Sequence, residues 1–174
     1  MRYFLGFKPP GFLSDSVLEF RQVWCLEGIG PHITVKAPCG LGASETWLKN
    51  VRQICQAQPA FPVSLNGVGS FGNKAIFLWV KAPNLISFHQ RLIQTLSISV
   101  ADQELCFEGV RYTPHLSLLH LKPDASAISH PFSELLTAAT ERFKKPIVFQ
   151  PTALTAYQKE GDGEYQPLLD IPLG

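Results

Sequence analysis

The chain carries two copies of one pattern, and this duplication restricts its possible folds more than any other feature of the sequence. Residues 3–10 (Tyr-Phe-Leu-Gly-Phe-Lys-Pro-Pro) and 76–83 (Ile-Phe-Leu-Trp-Val-Lys-Ala-Pro) are each an apolar strand followed by a lysine and a proline. Residues 31–35 (Pro-His-Ile-Thr-Val) match residues 114–118 (Pro-His-Leu-Ser-Leu). Proline keeps the preceding residue extended, and both segments are rich in strand formers. The repeats therefore predict two pairs of equivalent strands.

Segments of helical periodicity follow each repeated strand, so both halves have the order β-α-β-α-β. Strands predicted over residues 61–65 and 146–157 close the two halves, and Glu-Gly-Asp-Gly at 160–163 predicts the last hairpin turn. A unit this small leaves one sheet face bare and must pair with its copy to bury it. We therefore expect a single domain over residues 1–174, with two pseudo-symmetric lobes of about residues 1–75 and 76–174.

Charge and composition limit the partners. Fifteen Lys and Arg against fourteen Asp and Glu leave a net charge of +1, which excludes a broad polycationic surface but allows a local phosphate site. The N-terminus resembles no signal peptide, and no apolar run is long enough to span a membrane. Four scattered cysteines without a CxxC pair predict reduced, mostly buried thiols in a cytosolic protein, for which we expect a monomer.

The two repeated motifs place an imidazole and a hydroxyl on one strand face, twice. Residues two apart on a strand share a face, so His32 lies beside Thr34, and His115 beside Ser117. The alternate positions are aliphatic and predict the core. If a pseudo-twofold axis relates the halves, the two pairs converge across one cleft.

This arrangement suits phosphodiester chemistry. Two imidazoles can act as general base and general acid near neutral pH, each contributing about 10²–10⁴-fold. Hydroxyls can donate hydrogen bonds to non-bridging phosphate oxygens. A single His-x-Thr is more often an ordinary buried histidine, and it is the repetition that favours a site. We predict that His32 and His115 are catalytic and that Thr34 and Ser117 bind substrate.

Two further residues are second-rank candidates for substrate binding. Residues 67–72 fit G-x-G-x-x-G, but a predicted strand at 76–80 follows them where a dinucleotide site needs a helix, so we predict a bulge or hairpin turn. Phe71 on that turn either stacks on a nucleobase or is a half-buried turn aromatic. Lys36 lies two residues past Thr34, and either attracts phosphate or is a solvated strand end.

A zinc site is the remaining chemical alternative, since the chain has four cysteines and five histidines. None forms a closely spaced pair of the structural type, and His115 and His120 should point to opposite faces of their strand. His89 lies on the apolar stripe of a predicted helix and fits a hydrogen-bonded structural histidine. No metal is therefore predicted.

With these motifs the sequence resembles the two-histidine phosphoesterases, in the branch called 2'-5' RNA ligase-like or LigT-like. The resemblance covers essentially the whole chain: the duplicated order, both His-x-Thr/Ser motifs, and residues 69–71 before the strand at 76–80. It implies a bilobal α+β fold, with antiparallel sheets lining a central cleft and helices outside. It also implies opening of 2',3'-cyclic phosphates to 2'-phosphates with no metal, ATP or other cofactor.

By this resemblance, His115 is the base that activates water and His32 the acid that protonates the leaving 3'-oxygen. Many relatives carry an arginine shortly after the second motif, where this chain has Leu-Leu-His-Leu at 118–121. Some have an aromatic residue near the place of His120, which makes His120 a candidate base contact. The missing arginine favours a cyclic phosphodiesterase over a ligase.

Two alternatives stay open. One is a 2'-5' RNA ligase or an RNA 3'-end phosphodiesterase. The other is a binding module that holds an RNA end or phosphorylated metabolite without turnover. The near-neutral charge favours a small cyclic nucleotide or one RNA 3' end over a long duplex.

Overall fold

Eight antiparallel strands form one sheet in a computed structural model that describes residues 1–42, 44–120 and 130–174. The strands in these ranges are β1 (Arg2–Phe7), β2 (Ile33–Lys36), β3 (Val63–Phe71), β4 (Ala75–Lys81), β5 (His115–His120), β6 (Ile147–Phe149), β7 (Ala153–Lys159) and β8 (Gln166–Pro172). The helices are α1 (Gly11–Val23), α2 (Trp47–Gln56), α3 (Pro83–Thr95), α4 (Val100–Leu105) and α5 (Phe132–Arg142). The predicted α+β fold with antiparallel strands is confirmed.

The helices cover one face of the sheet, which we call the core face. Alternation along the strands sends Leu5, Ile33 and Leu116 to this face, where they pack with Val17 of α1 and Phe88 of α3, all fully buried. The opposite face, here called the open face, carries the alternate residues of the same strands. Of the described helices, none is long and apolar enough to cross a membrane.

The halves of the chain exchange strands in the sheet, whose order is β6-β3-β4-β5-β2-β1-β7-β8. The last strand of the first half, β3, pairs with β4, and β7 of the second half pairs with β1. Residues 72–74 explain the exchange, because their tight turn, closed by Lys74 N–H on the Phe71 carbonyl at 3.1 Å, forces β3 beside β4. The boundary near residue 75 thus divides the repeats in sequence, whereas each side of the sheet contains strands from both.

The glycine-rich segment is part of β3, and β4 follows it, so the prediction that a strand and not a helix comes after these glycines is confirmed. Gly67 has a φ of +85°, which glycine adopts at little cost. It lies where the β3–β4 register shifts between Leu65 and Val68. The predicted bulge is therefore present within β3, ahead of the hairpin turn at residues 72–74.

Each motif strand contains a bulge immediately after its hydroxyl residue. The register changes from Gly6–Thr34 to Leu5–Lys36 in the first half, and from Phe77–Ser117 to Ile76–Leu119 in the second. One extra residue in β2 and one in β5 thereby send two consecutive side chains to the core face. Strict alternation, which the sequence analysis assumed, fails at these points.

The bulges correct two predictions. Lys36 faces the core and is fully buried, with its ammonium 2.7 Å from a Glu108 carboxylate oxygen, so both predictions for it, a phosphate contact and a solvated strand end, are wrong. His120 pairs with Ala75 at the exposed end of β5, on the same face as His115. The expectation that His115 and His120 face opposite ways is therefore also wrong.

Two of the four cysteines are joined. Cys39, after β2, forms a disulfide with Cys106, after α4, across a Cα separation of 6.1 Å. Cys55 is free and buried, and Cys25 is free and exposed. The prediction of reduced thiols is wrong for Cys39 and Cys106, because 67 residues separate them and sequence spacing carries no sign of their contact.

Candidate active site

The four motif residues meet where β2 and β5 adjoin at the centre of the open face. The two strands are paired at Ile33 and Leu116. Antiparallel geometry then places His32 across from Ser117, and Thr34 across from His115. The histidines occupy a diagonal, for which Cα atoms lie about 7–8 Å apart. The sheet register thus brings the four residues together on one face, and their roles stay predictions.

Each imidazole is held through its Nδ1 atom by the loop that precedes it. His32 Nδ1 lies 2.8 Å from the Gly30 carbonyl, and His115 Nδ1 lies 2.7 Å from the Thr113 carbonyl. A carbonyl only accepts, so Nδ1 of each ring carries the proton and donates it. Nε2 is therefore the atom that can take up or give a proton in both rings.

Burial lowers the pKa of both histidines, despite the carbonyls that favour their charged forms. The positive charges of Arg21 and His115 further lower the pKa of His32, and that of His120 lowers the pKa of His115. Both rings are thus neutral at pH 7 without a ligand. A phosphate bound between them would raise both pKa values, because its negative charge favours the imidazolium.

The two hydroxyl groups are available for a ligand. Thr34 and Ser117 are half-buried, and neither side-chain oxygen is hydrogen-bonded to a residue of the described ranges. Their backbone carbonyls, in contrast, accept bonds from Tyr112 and Arg21. The backbone is thus held while the hydroxyls remain free to donate.

Three aromatic side chains, which we call the aromatic shelf, flank His115: Phe71, Phe77 and Trp79. Phe71 and Phe77 have ring centroids 5.4 and 5.0 Å from that of His115. Phe71 is 44% exposed and Trp79 is 37% exposed, so the shelf offers an apolar surface beside the site. Phe71 lies beside His115 at the end of β3, and its stacking on a nucleobase stays a prediction. Trp79 was missed, although its alternation with Phe77 along β4 was the signal.

Gly69 makes room for the aromatic shelf. A Cβ atom at this position would lie 2.5 Å from Trp79 Nε1 and 2.9 Å from a ring carbon of Phe77. Only glycine lets these rings lie across β3. The glycine-rich segment therefore shapes the open face next to His115.

A second aromatic group encloses His32. Phe4 and Tyr157 stack at 4.4 Å with an interplanar angle of 3°, and Phe4 lies 4.8 Å from the His32 ring. Phe4 and Tyr157 are buried, so they cover one side of the His32 imidazole and exclude water from it. Tyr165 packs edge-on against Phe4 at 4.9 Å and is half-buried.

His89 is structural, as its sequence context predicts. Its Nδ1 donates to the Val35 carbonyl at 2.7 Å, and its Nε2 accepts from Gly109 N–H at 3.1 Å. Burial lowers its pKa to about 4, so the ring is neutral near pH 7. In the residues the structure describes, no three His, Cys, Asp or Glu side chains are grouped to hold a metal ion.

The chain is similar to a known protein family in sequence and to several solved structures in fold. The family model of the 2'-5' RNA ligase superfamily matches residues 24–163. A search of curated protein sequences found no significant match. Among solved structures, TT0787 of Thermus thermophilus has a TM-score of 0.67 and 16% identity, covering 99% of this chain and 98% of its own.

Two complexes of Escherichia coli LigT are also similar. The complex with NADP+ has a TM-score of 0.61 and 17% identity, covering 99% of this chain and 96% of LigT. The complex with 3'-AMP has a TM-score of 0.60 and 18% identity, with coverages of 99% and 97%. At these identities the likeness shows the fold alone.

Proposed function

The chain belongs to the 2'-5' RNA ligase superfamily, and from that premise we propose that it opens 2',3'-cyclic phosphates of nucleotides or RNA 3' ends to 2'-phosphates. Membership supports an enzyme that acts on phosphodiester bonds. The observation that carries the finer proposal is the pair of imidazoles, each with Nδ1 fixed on a carbonyl and Nε2 available, beside two free hydroxyls. This arrangement matches general acid–base catalysis at one phosphorus atom.

The reaction needs two proton transfers on opposite sides of phosphorus. His115 Nε2 removes a proton from water, and the water oxygen bonds to phosphorus. The bond from phosphorus to the 3'-oxygen breaks, and protonated His32 gives its Nε2 proton to that oxygen, which leaves a 2'-phosphate. Thr34 and Ser117 hydroxyls donate to the non-bridging oxygens, where negative charge accumulates.

A nucleotide ligand fits the surroundings of the site. The LigT complexes contain 3'-AMP and NADP+, which are ligands of that protein, and we propose a nucleotide for this chain as well. A phosphate between His32 and His115 would direct an attached nucleoside toward Phe71 and Trp79 of the aromatic shelf. Base stacking on such side chains contributes about 1–3 kcal/mol.

The test is a substrate panel with the product identified. We expect the purified protein to convert nucleoside 2',3'-cyclic phosphates, or an RNA with a cyclic phosphate end, to 2'-phosphates in excess chelator. Phosphorus NMR or chromatography against 2'- and 3'-phosphate standards gives the regiochemistry. Trimming of RNA 3' ends or joining of 2'-5' linkages would support the alternative enzymes. Tight binding with no turnover across the panel would refute the proposal and favour a binding module.

The aromatic shelf gives a second expected result. Phe71→Ala should raise KM for a cyclic nucleotide about tenfold, with little change in kcat, because a stacking surface is lost while the histidines stay in place. Phe12→Ala is the matched control, since Phe12 is 63% exposed on α1 at the core side of the sheet. An unchanged KM in Phe71→Ala would show that the base does not stack there.

A further inference from the structure

The guanidinium of Arg21 reaches from α1 to the seam between the two motif strands. Its Nη2 donates to the Ser117 carbonyl at 2.8 Å, its Nε to the Leu118 carbonyl at 3.0 Å, and its Nη1 to the Ile29 carbonyl at 2.7 Å. The residue is only 7% exposed. A cation is thus held beneath Ser117, which the proposed mechanism places on the phosphate.

The seam explains why polar side chains are needed there. Because β2 and β5 are paired only at Ile33 and Leu116, strand carbonyls beyond that pair need other partners. In β2, the Thr34 carbonyl accepts from the Tyr112 hydroxyl at 2.7 Å, and the Val35 carbonyl accepts from His89. In β5, Arg21 makes both equivalent bonds. The carbonyls of β2 are thus bonded by two uncharged side chains, whereas the equivalent carbonyls of β5 are bonded by one charged guanidinium.

That charge lies close to the candidate phosphate site. Carbonyl oxygens do not neutralise a guanidinium, and within the described ranges no carboxylate pairs with Arg21. The loop before His32 packs directly against the Arg21 guanidinium, since a Cβ atom on Gly28 would lie 3.1 Å from the guanidinium carbon. The next residues of that loop include Gly30, whose carbonyl holds the His32 ring. Arg21 therefore contacts the supports of both motifs.

We propose that Arg21 is a positioning residue of the phosphate site, which fixes the Ser117 backbone and attracts the anion by its charge without touching it. The inference rests on the proposed function only in assuming that an anion binds between His32 and His115. Two other titratable groups lie around His32: His115 itself and Tyr157 on β7. Burial raises the pKa of Tyr157 to about 12, so that ring stays neutral and leaves Arg21 as the constant charge beside His32.

The test compares Arg21→Gln, Arg21→Lys and Tyr112→Phe, with inorganic phosphate as the probe. We expect Arg21→Gln to weaken phosphate binding about tenfold, which is the order of one unit charge acting across several ångströms of protein. The His32 pKa, followed by NMR, should rise in the same variant because a neighbouring positive charge is gone. Arg21→Lys keeps the charge and should lose less than about threefold. Tyr112→Phe removes the uncharged hydroxyl that donates to the Thr34 carbonyl, and it should leave the pKa of His32 unchanged.

Two outcomes would overturn the inference. One is an equal loss of phosphate binding in Arg21→Gln and Tyr112→Phe with the His32 pKa unmoved in both, which reduces Arg21 to a brace. If Arg21→Gln fails to fold, the wild-type Arg21 Nε–H resonance decides: we expect it to shift on phosphate addition, and an unmoved resonance at saturation contradicts the proposal. Neither measurement needs turnover, so a protein whose phosphate binding is weakened by Arg21→Gln but which is inactive on the substrate panel would refute only the proposed function.

Discussion

Replacing either His32 or His115 by alanine should reduce kcat for cyclic-phosphate opening by at least about 10²-fold. Each ring performs one of two proton transfers, and the other ring cannot perform both because it lies on one side of phosphorus. Both side chains are on the open face, outside the main core, so the fold should survive. The measurement is steady-state kinetics at saturating substrate, with circular dichroism to verify folding.

His130→Ala is the matched control for these variants. His130 packs edge-on against Trp24 with centroids 4.8 Å apart, and Trp24 packs against the core on the other side of the sheet. Its loss should leave kcat unchanged. Activity that persists at the wild-type level in either His32→Ala or His115→Ala would eliminate paired acid–base catalysis.

The wild-type pH profile gives the same prediction a second readout. The rate plotted against pH should be bell-shaped, since one imidazole must be neutral and the other protonated. The lowered pKa values place the limbs of kcat/KM for the free enzyme at lower pH than two ordinary histidines would give. The limbs of kcat should lie at higher pH, because bound phosphate raises both pKa values.

Glu108→Ala should destabilise the protein by about 3–5 kcal/mol, because it leaves the Lys36 ammonium buried without its counter-ion. Glu108 accepts from Lys36 Nζ and from Ala37 N–H, both at 2.7 Å, and the Lys36 side chain has no solvent exposure. Burial lowers the pKa of Lys36 and raises that of Glu108, and each partner's charge opposes that shift in the other. The pair therefore holds two charges that the interior would not tolerate singly.

Urea denaturation under conditions that keep the Cys39–Cys106 disulfide intact measures this effect. Glu19→Ala is the matched control: it breaks an ion pair with Arg142 whose side chains are 65% and 41% exposed, and should cost less than about 1 kcal/mol. Replacing both partners, Lys36→Met with Glu108→Leu, should recover most of the loss. A loss near that of Glu19→Ala would show that water reaches Lys36.

The sequence by itself determined which side chains make up the candidate site and which strands carry them. His32 and Thr34, like His115 and Ser117, share a face because alternation is a local property of two neighbouring peptide units. The repeated motifs also indicated the family, which the match over residues 24–163 confirms. These features needed no knowledge of which segments touch.

Only the tertiary structure decided what surrounds the four motif residues. A bulge in each motif strand turned Lys36 into the core and His120 onto the open face, and the hairpin at residues 72–74 exchanged strands between the halves. Arg21 reaches Ser117 from 96 residues away in the chain. Such contacts depend on sheet register and helix packing, which are settled by the burial of the whole core, and a local pattern of residues does not contain that information.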